Sequence, residues 1–476
     1  MGGDVVDRIA VEDHVAPVSQ RLDVAVPSAH PSSRRTTKAA PRRPRPSSRL
    51  SDNLPALSNC RCEDRVKLAL GRLAGTLSNP NFRRYAGAQF LHGAGMWAHH
   101  LAEVWLVYEI TGSAFVVGLT VAIRSGSAVV LAPLAGTLAD RMDRRRLLAS
   151  TQGSKSVVAS ALALLALAMG EDLPLAVLFG AVAVLGVIGA IDTPLRRAFV
   201  RDVVLADGID RAARLHTSVM SIGRFLGSGA AWLFLSLSAA WACFAVNGVT
   251  SLLAAMLVLR VVTTTVTSSE ASRAAGGRVL GYLLRTPAVT IPMALLCSFT
   301  LFGWNLAVLL PVIADKQLES GAGTFAILAQ VMAVGSLIGS VMMAASKLEG
   351  SRNLAILLIV FSAAMVPLAA VDHLLAGVAV IFVVGTFGGG FLSLSNGSVQ
   401  TAADPRLQGR VSAAYGVVFV GARAVGGPIL GWMVDAFGSR TALVTVGAVT
   451  ATCALCGLLA ANRSRLGAAG GELSGA

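Results

Sequence analysis

Twelve long, mainly apolar segments run through this sequence and limit the folds open to it. Each approaches the roughly 20 residues that an α-helix needs to cross a lipid bilayer. The segments are Ala86–Tyr108, Ala114–Leu138, Leu147–Met169, Leu173–Ile191, Leu215–Leu237, Ala239–Leu259, Ala288–Val312, Phe325–Ala345, Leu354–Ala370, Leu375–Leu394, Val411–Val434 and Ala442–Ala461. Hydrophobic residues form 54% of the 476 residues, and charged residues form 14%. A soluble protein of this size could not bury that much apolar surface. We therefore predict an all-α membrane protein with twelve transmembrane helices.

The twelve segments divide into two sets of six with a matching plan. Gly136 and Arg224 of the first set have counterparts, at nearly equal offsets, in Gly339 and Arg423 of the second. Two halves of this kind are related by an axis along the membrane normal, which places a substrate site between them near the bilayer midplane. The predicted domains are a basic cytoplasmic arm (1–80), an N-terminal half (81–260), a cytoplasmic linker (261–287), a C-terminal half (288–461) and a cytoplasmic tail (462–476).

Positive charge is concentrated on one side of the predicted helices. Loops on that side hold Arg144–Arg146 and Arg406, among many others, whereas the alternate loops hold only Lys316 and Arg440. The positive-inside rule then places both termini in the cytoplasm. The net charge of +14 follows from this bias and from the arm 1–80, so it does not indicate nucleic-acid binding. We expect the arm to be disordered, with contact to anionic lipid head groups as an alternative role.

A charged hinge, Gly136–Arg146, separates the second and third apolar segments. Gly136 has no side chain and lets a neighbouring helix approach closely, while Asp140 is placed to accept hydrogen bonds at the amino end of another helix. Such contacts would form in one conformation and release in the other. The alternative is that the arginines only fix the topology. The predicted conformational latch consists of Gly136, Asp140, Arg141, Arg144, Arg145 and Asp192.

Inside the first apolar segment, His92, Met96, His99 and Glu103 recur at helical spacing and so share one face of a helix. A carboxylate near the bilayer centre costs on the order of 2.5–3.5 kcal/mol on insertion scales, so Glu103 needs a partner or a water-filled cavity. Arg124 enters the next segment at a similar level, and we predict that it pairs with Glu103. Two roles stay open: a structural ion pair, or a site where Glu103 and His99 relay protons or meet a cationic substrate.

Two further arginines, Arg224 and Arg423, lie deep inside apolar segments beside small residues. If they face a central cavity, their charge favours a substrate with anionic or phenolate character. Hydrogen bonding to backbone carbonyls at kinked helices is the alternative. Trp97 and Asn305 complete the candidate substrate cavity, where they would supply stacking and polar contacts, although aromatic residues in spans also serve as packing or interface anchors.

Enzymatic motifs are absent from the sequence. No Gly-Lys dipeptide occurs, which excludes the Walker phosphate loop, and neither a zinc-ligand spacing nor a nucleophile triad is present. Four of the six cysteines lie in apolar segments, where they are expected to act as small buried hydrophobic residues. We therefore expect no enzyme activity, no metal and no cofactor.

Several motifs resemble those of a known transporter family. The stretch Trp105–Ser113, followed by the hinge, resembles the first helices of major facilitator superfamily exporters, in the branch that contains the enterobactin exporters and related drug:proton antiporters. The resemblance extends from about Asn79 to Leu459. Further matching motifs are Asp192–Pro194, Arg197–Phe199, Gly281–Leu283, Arg285–Pro287, Asn305 with Leu310–Pro311, and Gly409–Val411.

The resemblance implies a twelve-helix protein that exports a drug, an antibiotic or a siderophore-like molecule by alternating access, in exchange for protons. Two departures from the family pattern concern the antiport: Leu173–Ile191 lacks a buried arginine, and Ser228 stands where a proline is expected after Gly227. Expected partners are the bilayer, a small-molecule substrate and protons. We expect a monomer in the cytoplasmic membrane of a bacterium. The alternatives are a solute importer of the same fold and a non-transporting membrane sensor or scaffold.

Overall fold

The computed structural model describes residues 80–203, 209–262, 276–346 and 348–474, all within one compact unit. The helices of the N-terminal half are α1 (Pro80–Thr111), α2 (Ala114–Arg141), α3 (Arg144–Met169), α4 (Leu175–Val203), α5 (Ile209–Ser236) and α6 (Ala240–Leu259). After them come α7 (Gly276–Arg285), α8 (Pro287–Ser298), α9 (Leu306–Val312), α10 (Ala322–Ala345), α11 (Gly350–Ala369), α12 (Leu374–Ala402), α13 (Gln408–Phe437) and α14 (Ser439–Ser474). Two π-helical segments, Phe299–Gly303 and Ile313–Gln317, follow α8 and α9.

Eleven helical segments of the described chain are long and apolar enough to cross a membrane. One of them, Pro287–Gln317, combines α8, α9 and the two π-helical segments. Helix α1 is not among the eleven, because polar residues such as Gln89, His92 and Glu103 lower its hydropathy; these side chains are buried inside the protein. The all-α membrane fold is thus confirmed, while the twelfth span stays a prediction.

Capping residues explain why the apolar runs break where they do. Ser113 accepts the Val116 N–H at 3.3 Å and begins α2. Asp143 accepts the Arg145 N–H at 2.9 Å and begins α3, so the hinge between α2 and α3 is a tight turn. Gly438 ends α13 at a φ of 82°, a left-handed conformation that residues with a side chain rarely adopt.

The two halves pack by the same general scheme. In the N-terminal half, α1 contacts α5 and α6, α3 packs on α6, and α2 packs on α4; in the C-terminal half, α10 packs on α12 and α11 on α14. Contacts between the halves run mainly along α2 with α13 and along α5 with α10. Close approach of α1 and α5 depends on Gly227, where a Cβ would collide with the backbone of Ala94.

Three helices extend beyond the apolar segments of the sequence. Helix α4 continues past Ile191 to Val203, and α12 continues past Leu394 to Ala402. The predicted tail, 462–476, is helical as far as Ser474, because α14 continues without a break. In each case polar residues extend a helix beyond its apolar core, which a hydropathy pattern does not register. The predicted arm lies outside the described residues except for Pro80.

Candidate transport cavity

A cavity of about 300 Å³ lies between the two halves of the protein. Its walls come from α1, α2, α3, α4 and α6 of the N-terminal half and from α13 of the C-terminal half. The polar lining consists of His92, His99, Arg124, Ser125, Lys155, Thr193, Asn247 and Arg423. A larger groove of about 600 Å³ between α5, α10 and α12 is lined by apolar side chains and Gln330, and therefore offers no charged group. Charged side chains line the smaller cavity and not this groove.

Glu103 forms a buried ion pair beside this cavity. Its side chain is 1% exposed, and Arg124 Nη2 donates a hydrogen bond to Glu103 Oε2. His99 Nε2 lies 3.4 Å from the same oxygen, and the His99 ring packs edge-on against Phe244 with centroids 4.8 Å apart. The Arg124 side chain is 28% exposed, so it extends from the ion pair to the cavity surface. The structure thus brings together the three coupling candidates, His99, Glu103 and Arg124.

A second buried group of charges centres on Asp192 in α4. Its carboxylate accepts hydrogen bonds from Lys155 Nζ and from Arg196 Nε, each at 2.7 Å. Thr151 Oγ1 at 3.0 Å and Gln152 Nε2 at 2.9 Å add two neutral donors. Two cations therefore share one carboxylate, and Lys155 also reaches the cavity.

Arg196 lies in α4 beyond the predicted fourth span. The stretch Leu173–Ile191 has no arginine, but α4 extends to Val203 and places Arg196 in a buried position, with its side chain only 7% exposed. Arg196 Nη1 also donates to Gln89 Oε1 of α1 at 2.5 Å. This arginine therefore links two helices of the N-terminal half through a single network of buried hydrogen bonds.

The four candidates for the substrate cavity lie in different surroundings. The Arg224 guanidinium stacks 4.4 Å above the Trp97 ring, a cation–π contact between α5 and α1. Arg423 lines the cavity directly. Asn305 is buried in the interruption of the seventh span, where its Nδ2 donates to the Thr300 carbonyl at 3.0 Å. The cavity lining thus includes Arg423 but not the other three.

The latch residues of the hinge are only partly visible. Gly136, Asp140 and Arg141 belong to the last turns of α2, and the surroundings of Gly136 and the side chains of Asp140 and Arg141 lie outside the described residues. Arg144 begins α3, and Arg145 Nη1 donates to the Val261 carbonyl at 3.1 Å. Asp192, the sixth predicted member, lies in the buried cluster described above. The latch therefore stays a prediction.

Contacts between the halves are also present at the end of the bundle remote from the hinge. Asp435 of α13 accepts hydrogen bonds from the Ala114 N–H at 2.8 Å and the Phe115 N–H at 2.9 Å, at the first turn of α2. Tyr108 of α1 donates from its hydroxyl to Asp315 Oδ2, at 2.8 Å, beyond α9. Both contacts join residues of opposite halves, so they hold this end of the bundle closed.

Comparison with known proteins identifies the family. A model of the transmembrane secretion effector family matches residues 73–469, most of the chain. The chain belongs to this family, within the major facilitator superfamily. It is accordingly a membrane transporter and not an enzyme.

Individual relatives agree with this assignment. The staphyloferrin A transporter of Staphylococcus aureus (strain NCTC 8325 / PS 47) is 24% identical over 262 residues, which are 54% of this chain and 66% of that protein, just under two thirds of its length. The nucleoside transporter NupG superimposes with a TM-score of 0.64 at 12% identity, covering 80% of this chain and 98% of NupG. A bacterial homologue of the human lysosomal transporter Spinster superimposes with a TM-score of 0.62 at 13% identity, covering 84% of this chain and 97% of the homologue. These two structures support the major facilitator fold.

Three residues of the buried charge clusters and of the contacts between the halves were not among the predicted site residues, namely Lys155, Arg196 and Asp435. Lys155 is the only lysine or arginine between Leu147 and Met169, and a lone cation within an apolar run was the available signal. Arg196 follows Asp192 at the spacing of one helical turn, which also favours an ion pair. Asp435 gave no comparable signal, because its partners lie on another helix far away in the sequence.

Proposed function

We propose that this protein exports a small amphipathic molecule, such as a drug, an antibiotic or a siderophore-like compound, by alternating access and in exchange for protons. Its family supports membrane transport, and the staphyloferrin A transporter among its relatives supports a small-molecule substrate. The observation that carries the proposal is the cavity between the halves with the buried Glu103–Arg124 pair in its wall. Ionisable groups at such positions are costly in a membrane and typically mark ion or substrate pathways.

His99, Glu103 and Arg124 form the proposed coupling site. While Glu103 is ionised, it neutralises Arg124; once Glu103 is protonated, Arg124 loses its partner and the cavity wall gains positive charge. Proton binding therefore changes the electrostatic surroundings of any substrate in the cavity. Two ligands that alter each other's binding free energy in this way are thermodynamically coupled.

Two sets of contacts at opposite ends of the bundle would support alternating access. At one end, the hinge residues Gly136, Asp140 and Arg144 are the proposed latch. At the other end, Asp435 and Tyr108 make the contacts between the halves described above. Since the substrate can leave only at an end where the halves separate, the two sets would open in turn.

The charge distribution supports one orientation in the membrane. We place the hinge, the linker and both termini in the cytoplasm, since arginines are concentrated on that side. The proposed location is the cytoplasmic membrane of a bacterium, and the proposed state is a monomer. An importer of the same fold would have the same charge distribution, so only a transport measurement separates the two directions.

Everted membrane vesicles from cells that produce the protein test the proposal. Vesicles energised by respiration receive fluorescent drugs and siderophore analogues with and without an uncoupler. We expect at least one compound to accumulate inside the vesicles and the uncoupler to abolish its accumulation. Accumulation in right-side-out vesicles alone would instead establish an importer, and no transport of any compound by folded protein would favour the sensor or scaffold.

A pair of matched variants tests the coupling site in the same vesicles. Glu103→Gln removes the proposed proton acceptor, and we expect transport driven by a pH gradient to be lost. Glu109→Gln makes the same chemical change in the same helix, at an exposed position near its end, and should leave transport intact. Equal behaviour of the two variants would refute coupling through Glu103.

A further inference from the structure

The cavity between the two halves has an uneven charge distribution. Among the described residues, its lining includes Arg124, Lys155 and Arg423 but no carboxylate. Two carboxylates lie behind this lining, with Glu103 against Arg124 and Asp192 against Lys155. Asp192 also pairs with Arg196. The region therefore contains four cations, namely Arg124, Lys155, Arg196 and Arg423, and two carboxylates. The cavity therefore carries an excess of positive charge.

Arg423 is the cation of the lining that lacks a carboxylate. No acidic group of the described residues lies within 4.0 Å of its guanidinium. Its Nε atom is buried and has no hydrogen-bond partner in the described part of the chain, and the guanidinium carbon lies 6.0 Å from the centroid of the Phe419 ring. A buried N–H donor without a partner is costly, and the planar fork of a guanidinium matches the two oxygens of a carboxylate. This geometry favours an anion that completes the pairing.

The remainder of the lining is apolar. Met96, Leu185 and Val420 contribute aliphatic side chains, and Ala128 and Gly189 leave room between them. We infer that the cavity binds a small amphipathic anion, with its carboxylate or phenolate held by Arg423 and its ring or chain against this apolar wall. The inference rests on the proposed function, since it names the substrate class of the same cavity.

The anion would bridge the two halves of the transporter. Arg423 belongs to α13 in the C-terminal half, whereas Arg124, Lys155 and Met96 belong to the N-terminal half. With Glu103 paired to Arg124 and Asp192 paired to Lys155, Arg423 is the cation of the lining without a carboxylate partner among the described residues. A ligand held from both sides stabilises those conformations in which the halves lie close together.

Ligand binding to the purified full-length protein in detergent tests this inference without a transport assay. The probes share one aromatic ring system and differ in charge: naphthalene-2,6-dicarboxylate, 2-naphthoate, the neutral 2-naphthamide and the cationic naphthylmethylammonium. Dissociation constants are measured by isothermal titration calorimetry, with thermal shifts as a second readout. We expect the dicarboxylate to bind most tightly and the cation most weakly. Equal binding of all four probes, or preference for the cation, would overturn the inference.

Three variants locate the anion. Arg423→Gln removes a charge-assisted pair with the ligand. We therefore expect its dissociation constant for the dicarboxylate to rise roughly tenfold or more. Arg423→Lys retains the charge without the planar fork and should fall between the wild type and Arg423→Gln. Arg352→Gln removes an arginine from an exposed position at the start of α11 and should bind like the wild type. Unchanged binding in a folded Arg423→Gln protein would place the anion elsewhere and refute the assignment, and unchanged binding in Arg423→Lys would refute pairing through the planar fork.

The outcome separates this inference from the proposed export function. Transport of cationic or neutral compounds without anion binding would refute the anion site and leave export standing. Anion binding at Arg423 without transport in either vesicle orientation would support the site and refute export.

Discussion

The carboxylate of Asp435 in α13 accepts the backbone N–H of Ala114, at 2.8 Å, in the first turn of α2 on the opposite half. The same carboxylate accepts the Phe115 N–H at 2.9 Å and the Ser113 hydroxyl at 2.5 Å. The first N–H groups of a helix have no partner within the helix and carry the positive end of its dipole, so a carboxylate there is stabilising. Because the cap comes from the other half, it exists only while the halves are in contact at this end.

Asp435→Asn should therefore shift the protein towards conformations open at this end. A charged group at a helix terminus contributes about 0.3–1 kcal/mol, which corresponds to a twofold to fivefold change in the population ratio. Glu109 and Phe437 are both exposed and lie in opposite halves, so spin labels at these two positions report the distance between the halves. Double electron–electron resonance measures this distance in a protein whose native cysteines have been replaced. We expect the long-distance population to increase.

Asp372→Asn is the matched control for that measurement. Asp372 pairs with Arg440 within the C-terminal half at the same end, and both side chains are 60% exposed. Exposed pairs of this kind contribute little, so the label distances should stay at their wild-type distribution. An equal shift in both variants would mean that the Asp435 cap has no specific role.

Close packing of α2 on α13 gives a second prediction for the same end. A Cβ at Gly118 would collide with the backbone carbonyl of Gly427, whereas a Cβ at Gly126 meets nothing within 4 Å. Gly118→Val should therefore push the two helices apart and reduce transport severely, because the closed contact cannot form. Gly126→Val, on the same helix, should transport at nearly the wild-type rate. Similar rates for the two variants would show that this contact is not required in the transport cycle.

The buried cluster around Asp192 gives a third prediction, which concerns stability. Asp192→Asn leaves both Lys155 and Arg196 without a carboxylate, and an uncompensated buried charge costs roughly 3–5 kcal/mol. Lys155→Met removes one of the two cations and leaves Asp192 paired with Arg196 at 2.7 Å. We expect Asp192→Asn to lower the apparent melting temperature in detergent much more than Lys155→Met does. The reverse order would show that Lys155, rather than Arg196, compensates the carboxylate.

Much of the fold was predictable because the bilayer imposes a length and a composition on each span. The apolar runs fell on the spanning helices, and the turn at Asp143 fell where charge interrupts them. The pairing of Glu103 with Arg124 was also predictable, since two charges at a similar depth of neighbouring helices favour each other strongly in a membrane. Depth and periodicity were sufficient for these features.

Other parts of the site depend on information that the sequence does not display. A lone cation such as Lys155 indicates that a span carries a buried charge, but it does not show which cavity that face of the helix meets, so Lys155 was not assigned to the lining. Helix α4 carries Arg196 beyond its apolar core, where hydropathy no longer marks a helix. Asp435 and Ala114 meet only through the packing of α2 on α13, and that contact belongs to the tertiary structure.

The ion pair between Glu103 and Arg124 gives a last prediction, testable with a double-mutant cycle. Arg124→Gln leaves the Glu103 carboxylate, 1% exposed, with only the His99 ring beside it among its described ion-pair partners. We expect the free energy of unfolding to fall by an amount towards the lower end of roughly 3–5 kcal/mol, because the Arg124 side chain is 28% exposed. In the double variant Glu103→Gln/Arg124→Gln no unpaired charge is left, so it should be more stable than the sum of the single changes implies. Unfolding of the purified protein by denaturant measures all four stabilities.

The same cycle on the exposed pair Asp372 and Arg440 should yield a coupling of about 1 kcal/mol or less. Additive effects at Glu103 and Arg124 would contradict the buried pair.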